Sequence, residues 1–116
     1  MGLNKVLSLL SLAEKAGKIQ SGEFSTEKSI KASKAALVIV ALDASANTKK
    51  MFTNMCHYYR VPLYFYSGKE ELGHSTGKSI RASLAVTDAG FGKQLVKLLD
   101  VGQQNGGSEY DKTKNT

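Results

Sequence analysis

Residues 36–42, Ala-Leu-Val-Ile-Val-Ala-Leu, form an unbroken apolar run centred on β-branched side chains. Successive side chains of a strand point to opposite faces, so a strand with no polar residue at either parity has to be covered on both. Helices above and below a sheet meet that demand, and the rest of the chain supplies them. Leu3, Val6, Leu7, Leu10 and Ala13 recur at helical spacing, and Lys15-Ala16-Gly17-Lys18 closes the segment with a basic last turn and a glycine, the usual helix C-terminus. Ile19-Gln20-Ser21 reads as a very short strand, and Gly22 opens a second helix to about residue 33, with Lys28, Lys31 and Lys34. After the apolar run, Asp43-Ala44-Ser45 offers the cap of a third helix to residue 59, with Phe52, Met55 and Tyr59 on one face. We favour Asp43 as that cap over a catalytic acid. Residues 61–66 read as a strand, with Pro62 near its start where a missing N–H is tolerated. A short helical turn at 69–72, a strand at 83–87 and a last helix at 91–99 complete the pattern. This alternation predicts an α/β fold, a three-layer α/β/α sandwich around a small mixed sheet of about four strands.

The chain is long enough for a single core, expected over residues 1–101. From residue 102 the composition turns to Gly, Gln, Asn, Ser and charges, which cannot bury apolar surface and predict a disordered polar tail over 102–116. Sixteen Lys and Arg against ten Asp and Glu give a net charge of +6. Beyond Asp100, Lys112 and Lys114 cancel Glu109 and Asp111, so the excess belongs to the folded part and favours a polyanionic partner. Residues 1–12 are broken by Asn4, Lys5, Ser8 and Ser11, unlike a signal peptide, and no apolar run reaches membrane-spanning length. A cytoplasmic protein without a membrane partner is expected. Cys56 is the sole cysteine, which excludes an intramolecular disulfide and reads as a buried, unreactive thiol. His57 and His74 are the only histidines, and nothing has metal-ligand spacing, so neither a metal nor a cofactor is expected. Adjacent helical residues point about 100° apart, so Cys56 and His57 do not make a nucleophile and base.

Leu72-Gly73-His74-Ser75-Thr76-Gly77-Lys78-Ser79-Ile80-Arg81 looks like a nucleotide loop and fails as one. A P-loop needs four residues between its glycines and leads from a strand into a helix. Here only His74, Ser75 and Thr76 intervene, and the segment leads into a strand. Backbone glycines beside Lys78 and Arg81 suit the phosphate backbone of a nucleic acid instead. The start of the second helix is expected to have the same character: Gly22 allows close approach, free N–H groups follow it, and Lys28 and Lys31 are placed within its first turns. Both segments fall at an end of the sheet, and sequence does not say whether it is the same end.

Taken in order, Ser21-Gly22 with Lys28, Ala35-x-Leu37-Val38-Ile39-Val40-Ala41-x-Asp43-Ala44-Ser45, Cys56 ahead of Val61-Pro62, Leu72-Gly73-x-x-x-Gly77-Lys78 and Ala85-Val86-Thr87-Asp88-x-Gly90 resemble the kink-turn-binding ribosomal-protein family. That family includes the archaeal L-seven-Ae and eukaryotic L-thirty-e proteins. The runs at 43–48 and 87–92 look most like its bacterial, YlxQ-type branch. The resemblance spans about residues 3–99 and implies the same sandwich, no catalysis, and an RNA surface made by the start of the second helix and the loop before the last strand. In the family that surface grips sheared G·A pairs and an extruded base. Gly22 and Lys28 match the family's Gly-x-Asn-Glu-x-x-Lys pattern, with Phe24 at the Asn position and Ser25 at the Glu position. Asn and Glu hydrogen-bond guanine edges, whereas Phe can only stack or pack and Ser offers a short hydroxyl. In the loop, Gly77 matches and Ile80 retains the branched side chain used against an unstacked base.

The candidate RNA-binding set is therefore Gly22, Lys28, Gly77 and Ile80 by motif, and Phe24, Ser25, Lys31, Lys78, Ser79 and Arg81 by position. The expected function is non-catalytic binding of structured RNA, ribosomal or kink-turn, by a monomer associated with the ribosome. The alternative is a protein-interaction module on the same fold, using Phe24 and the Tyr58-Tyr59 pair as an apolar patch. An RNA-modifying or nucleotide-hydrolysing enzyme built on the loop at 73–79 lacks an acid, base or nucleophile constellation.

Overall fold

The computed structural model describes residues 4–105. The elements run α1 (Lys5–Lys15), β1 (Ile19–Ser21), α2 (Glu23–Lys31), β2 (Leu37–Val40), α3 (Ala46–Tyr59), β3 (Leu63–Phe65), α4 (Lys69–Ser75), β4 (Ser83–Val86) and α5 (Ala89–Asn105). The four strands form one sheet in the order β1-β4-β2-β3. β4 pairs antiparallel with both β1 and β2, and β2 pairs parallel with β3, so the sheet is mixed as expected. Every residue of the two central strands, β2 and β4, is buried, which is what the apolar run demanded. α2 and α3 pack together, and α1 packs with α4 and α5. Phe52, Leu10, Ile30, Leu37, Ile39, Leu72, Leu84 and Leu95 are the largest fully buried side chains, and they come from both helical groups and the sheet between them.

Three local expectations change. Ser45 caps α3, its hydroxyl accepting from the Thr48 N–H at 3.1 Å. Asp43 accepts instead from the Lys69 N–H at 2.9 Å, at the start of α4. An Asx cap needs only a free amide within reach, and the parallel alignment of β2 with β3 brings the one at α4 to Asp43. α4 continues to Ser75, past the expected turn at 69–72. α5 reaches Asn105, so residues 102–105 of the expected tail are helical; residues 106–116 of that tail lie outside the described residues. Gln and Asn are compatible with a last helical turn even though they contribute nothing to a core.

Cys56 is 2% exposed, and burial pushes its thiol from an ordinary 9.0 up to about 12. Above the lower value the unfolded chain gives up a proton that the native chain keeps. Stability from this group is therefore complete below about pH 9 and lost as pH rises, roughly 2 kcal/mol by pH 10.5. Urea titrations of the wild type and Cys56→Ala at neutral and alkaline pH check this. The variant starts less stable because of the cavity, but its stability should fall less with pH; parallel losses would refute the assignment.

Candidate nucleic-acid interface

The glycine-containing segments around Gly22 and Gly77 lie at the same end of the sheet, joined by hydrogen bonds across some sixty positions of sequence. β1 ends at Ser21, and the Gly22 N–H donates to the Ser83 carbonyl at 2.9 Å where β4 begins. The Ser83 hydroxyl donates to the Thr26 hydroxyl at 3.2 Å, and both residues are buried, so α2 is fixed to β4 through its first turn. Arg81, just before β4, donates from Nε to the Ser21 hydroxyl at 3.1 Å and from Nη1 to the Ile80 carbonyl at 2.7 Å. Gly22 holds φ at +97° and ψ at 157°, a conformation essentially reserved for glycine. A Cβ there would meet the Arg81 Nε at 3.8 Å, an ordinary contact, so it is the backbone conformation and not space that requires glycine.

The loop from Thr76 to Ala82 is shaped by α4. The Gly73 carbonyl accepts from the Lys78 N–H at 2.7 Å and the Thr76 N–H at 3.1 Å, while the buried Thr76 hydroxyl donates to the carbonyls of Leu72 and Gly73. A Cβ on Gly73 would lie 2.6 Å from the Ser79 carbonyl oxygen and 2.7 Å from the Ile80 nitrogen. Gly73 thus serves close backbone packing, and the glycine spacing that suggested a phosphate loop has a structural cause. The Arg81 N–H donates to the Lys69 carbonyl at 3.0 Å, which closes the loop. Gly77, Lys78, Ser79 and Ile80 are exposed, with Ile80 52% accessible.

The candidate side chains are not equivalent. Phe24, on the first turn of α2, is 77% exposed, and Ser25 is half-buried beside it. Lys28 is exposed and has no ion pair among the described residues. Lys31 is the last residue of α2, a turn beyond Lys28, and its ammonium pairs with Glu27 at 2.9 Å. The hydrogen bond to Glu27 and then its charge raise the Lys31 pKa. Lys78 leans toward Glu14 of α1 at 4.0 Å, a separation at which water screens the pair. Arg81 is half-buried and serves as a clasp between loop and β1 as well as a cation. Together Gly22, Phe24, Ser25 and Lys28 form one lip of a surface whose other lip is the loop with Gly77, Ser79, Ile80 and Arg81.

Of the residues that join the lips, Thr26 and Ser83 were not singled out from the sequence, and Ser21 entered only beside Gly22 in the family motif. Their hydrogen bonds are long-range and leave no local periodicity to read. Asn47, Thr48, Lys50, Met51 and Asn54 of α3 line a shallow recess with Glu23 at the start of α2. Among the described residues there is no group of His, Cys, Asp and Glu side chains fit to hold a metal ion, and no helix is long and apolar enough to cross a membrane.

The RNA-binding protein YlxQ of Bacillus subtilis is 46% identical over 92 residues, covering 79% of this chain and 92% of that protein. The YlxQ protein of Enterococcus faecium is 38% identical, covering 83% and 92%. Among solved structures, a Bacillus halodurans protein of unknown function superposes with a TM-score of 0.80 at 36% identity, covering 83% of this chain and 97% of that one. The 15.5 kD RNA binding protein of Giardia lamblia has the same fold, with a TM-score of 0.73 at 21% identity over 87% and 92% of the two chains. Residues 4–96 match the ribosomal protein L7Ae/L30e/S12e/Gadd45 family, and with that match covering most of its length the chain belongs to this family.

Proposed function

We propose that this chain is a non-catalytic, cytoplasmic RNA-binding module that recognises a sharply bent, kink-turn-like RNA in association with the ribosome, through the surface between the α2 N-terminus and the loop before β4. The observation that carries the reading is the joining of these two segments by the Gly22–Ser83, Thr26–Ser83 and Ser21–Arg81 hydrogen bonds. That junction gathers free helix N–H groups, Lys28, Lys78 and two exposed apolar side chains, Phe24 and Ile80, on a chain of net charge +6. Cations and N–H groups hold phosphates, while exposed apolar side chains suit unstacked bases rather than a regular duplex. RNA-binding and ribosomal relatives support the same class of partner.

Titration against a kink-turn RNA and a matched duplex with its G·A pairs replaced, at two salt concentrations, tests the proposal. Preference for the kinked RNA is expected; equal binding to both would reduce the function to backbone binding, and no binding would remove RNA as the partner. Phe24→Asn with Ser25→Glu restores two groups able to hydrogen-bond guanine edges. It should raise the preference for kinked over disrupted RNA by about 1–3 kcal/mol for each guanine edge that becomes hydrogen-bonded. An unchanged preference in the same titration would mean that these positions do not face the G·A pairs.

A further inference from the structure

We propose that the exposed face running from Phe24 past Lys28 and Lys31 to Tyr59, Tyr58 and Arg60 is a track for a single-stranded RNA segment leading away from the α2 N-terminus. The inference rests on the RNA-binding reading above and extends it to a second site on the α2 and α3 layer. Phe24 and Tyr58 are each 77% accessible and Tyr59 is 38% accessible. They are the only exposed Phe or Tyr side chains among the described residues, and all three belong to two helices packed side by side. The other large exposed apolar side chains, Leu12, Leu42, Ile80 and Val101, are aliphatic and spread over different elements.

Cations interleave these rings. Phe24, Lys28 and Lys31 line one shallow recess with Glu27 and Ala32, at the spacing of a single helix face. α3 packs against α2 and brings Tyr59 near the Lys31 end of that helix. Tyr58 meets Tyr59 edge to face, with centroids 4.9 Å apart and planes at 77°, an arrangement that leaves ring faces free for another π system. Arg60 follows directly, exposed and without an ion pair among the described residues. Glu27 is the one carboxylate in the recess, and Lys31 neutralises it.

Alternating ring and cation fits a strand of nucleotides, whose bases stack while its phosphates pair with ammonium and guanidinium groups. A protein ligand seated on the aromatics would have to desolvate the lysines between them, and the buried cores of protein interfaces are depleted in lysine for that reason. α2 spans about 13 Å, so the track accommodates a few nucleotides beyond whatever the α2 N-terminus holds.

The test compares a blunt kink-turn RNA with the same RNA carrying a short oligouridine overhang at either end, titrated with the full chain and with Tyr58→Ala and Tyr58→Phe. Tyr58 is so exposed that neither substitution threatens the fold, and neither changes the charge. An overhang should tighten wild-type binding, and Tyr58→Ala should cancel about tenfold of that tightening by removing one stacked base. Tyr58→Phe should keep it, and blunt RNA should bind all three proteins alike. An overhang without effect on the wild type, or an overhang effect that survives Tyr58→Ala, would overturn the track while leaving the kink-turn reading intact. Failure to bind even blunt RNA would instead overturn the proposed function and the track with it. Self-association abolished by Tyr58→Ala, with no overhang effect, would assign this face to a protein partner and also overturn the track.

Discussion

Gly73→Ala should destabilise the protein by about 2 kcal/mol and weaken RNA binding, although it adds a single methyl group and improves helix propensity. The added Cβ would meet the Ser79 carbonyl oxygen at 2.6 Å and the Ile80 nitrogen and Ser79 carbonyl carbon at 2.7 Å. All three atoms are backbone, so no rotamer change relieves the clash and the loop itself has to move. Overpacking of this kind costs about 1–3 kcal/mol and sometimes more, and the improvement of up to about 1 kcal/mol from replacing a helical glycine offsets part of it. For a domain of this size a net 2 kcal/mol lowers Tm by roughly 10 °C. Displacing residues 79 and 80 also misplaces Ile80 and strains the anchorage of Lys78, whose N–H bonds the Gly73 carbonyl. Gly102→Ala is the control, since a Cβ there meets nothing within 4 Å; it should leave Tm unchanged or slightly raised. A Gly73→Ala protein with wild-type Tm and affinity would show that the loop does not depend on this close approach.

Gly73 also illustrates what the sequence could disclose. Its glycine, lysine and serine neighbours suggested phosphate contact, and residue spacing alone was enough to dismiss a P-loop. The close approach that requires glycine there involves residues six and seven positions away, across a turn that no periodicity predicts. Elsewhere the apolar run at 36–42 implied a sheet covered on both faces, because alternation of side chains makes that a matter of geometry. α1 and α3 were foreseeable for a similar reason, because an apolar face repeats, whereas α2 rested on Gly22 and α4 was expected only as a short turn at 69–72. Capping was less legible, since Asp43 and Ser45 are both good caps and only the sheet decides which amide Asp43 reaches. For the interface, Gly22 and Lys28 could be placed by motif. The Lys31–Glu27 pair, four residues apart on α2, follows from helical spacing, whereas that Arg81 would clasp Ser21 depends on where the elements come to rest. The same holds for the Tyr58–Tyr59 pair, adjacent in sequence, whose nearness to α2 exists only in the packed layer.

Lys28→Ala combined with Lys78→Ala should reduce affinity for kink-turn RNA by about 40-fold at 0.1 M salt and flatten the salt dependence by about 0.7–0.9 per phosphate contact removed. The two figures are linked. Cations that neutralise phosphates release counterions, so their contribution fades as salt approaches about 1 M and grows by the same slope as salt is lowered. The chosen lysines stand on opposite lips of the interface. Lys28 is exposed with no ion pair among the described residues, and Lys78 has only the long 4.0 Å approach to Glu14, so both are available to a ligand. For the same reason neither supports the fold, and the double variant should unfold within about 0.5 kcal/mol of the wild type. Lys93→Ala with Lys97→Ala provides the decisive comparison, because it removes the same charge from exposed positions of α5, which packs with α1 away from α2 and α3. If binding is local, the α5 pair leaves both affinity and slope close to those of the wild type. Equal losses from the two pairs would mean that RNA responds to the net charge of +6 rather than to the surface between α2 and the loop.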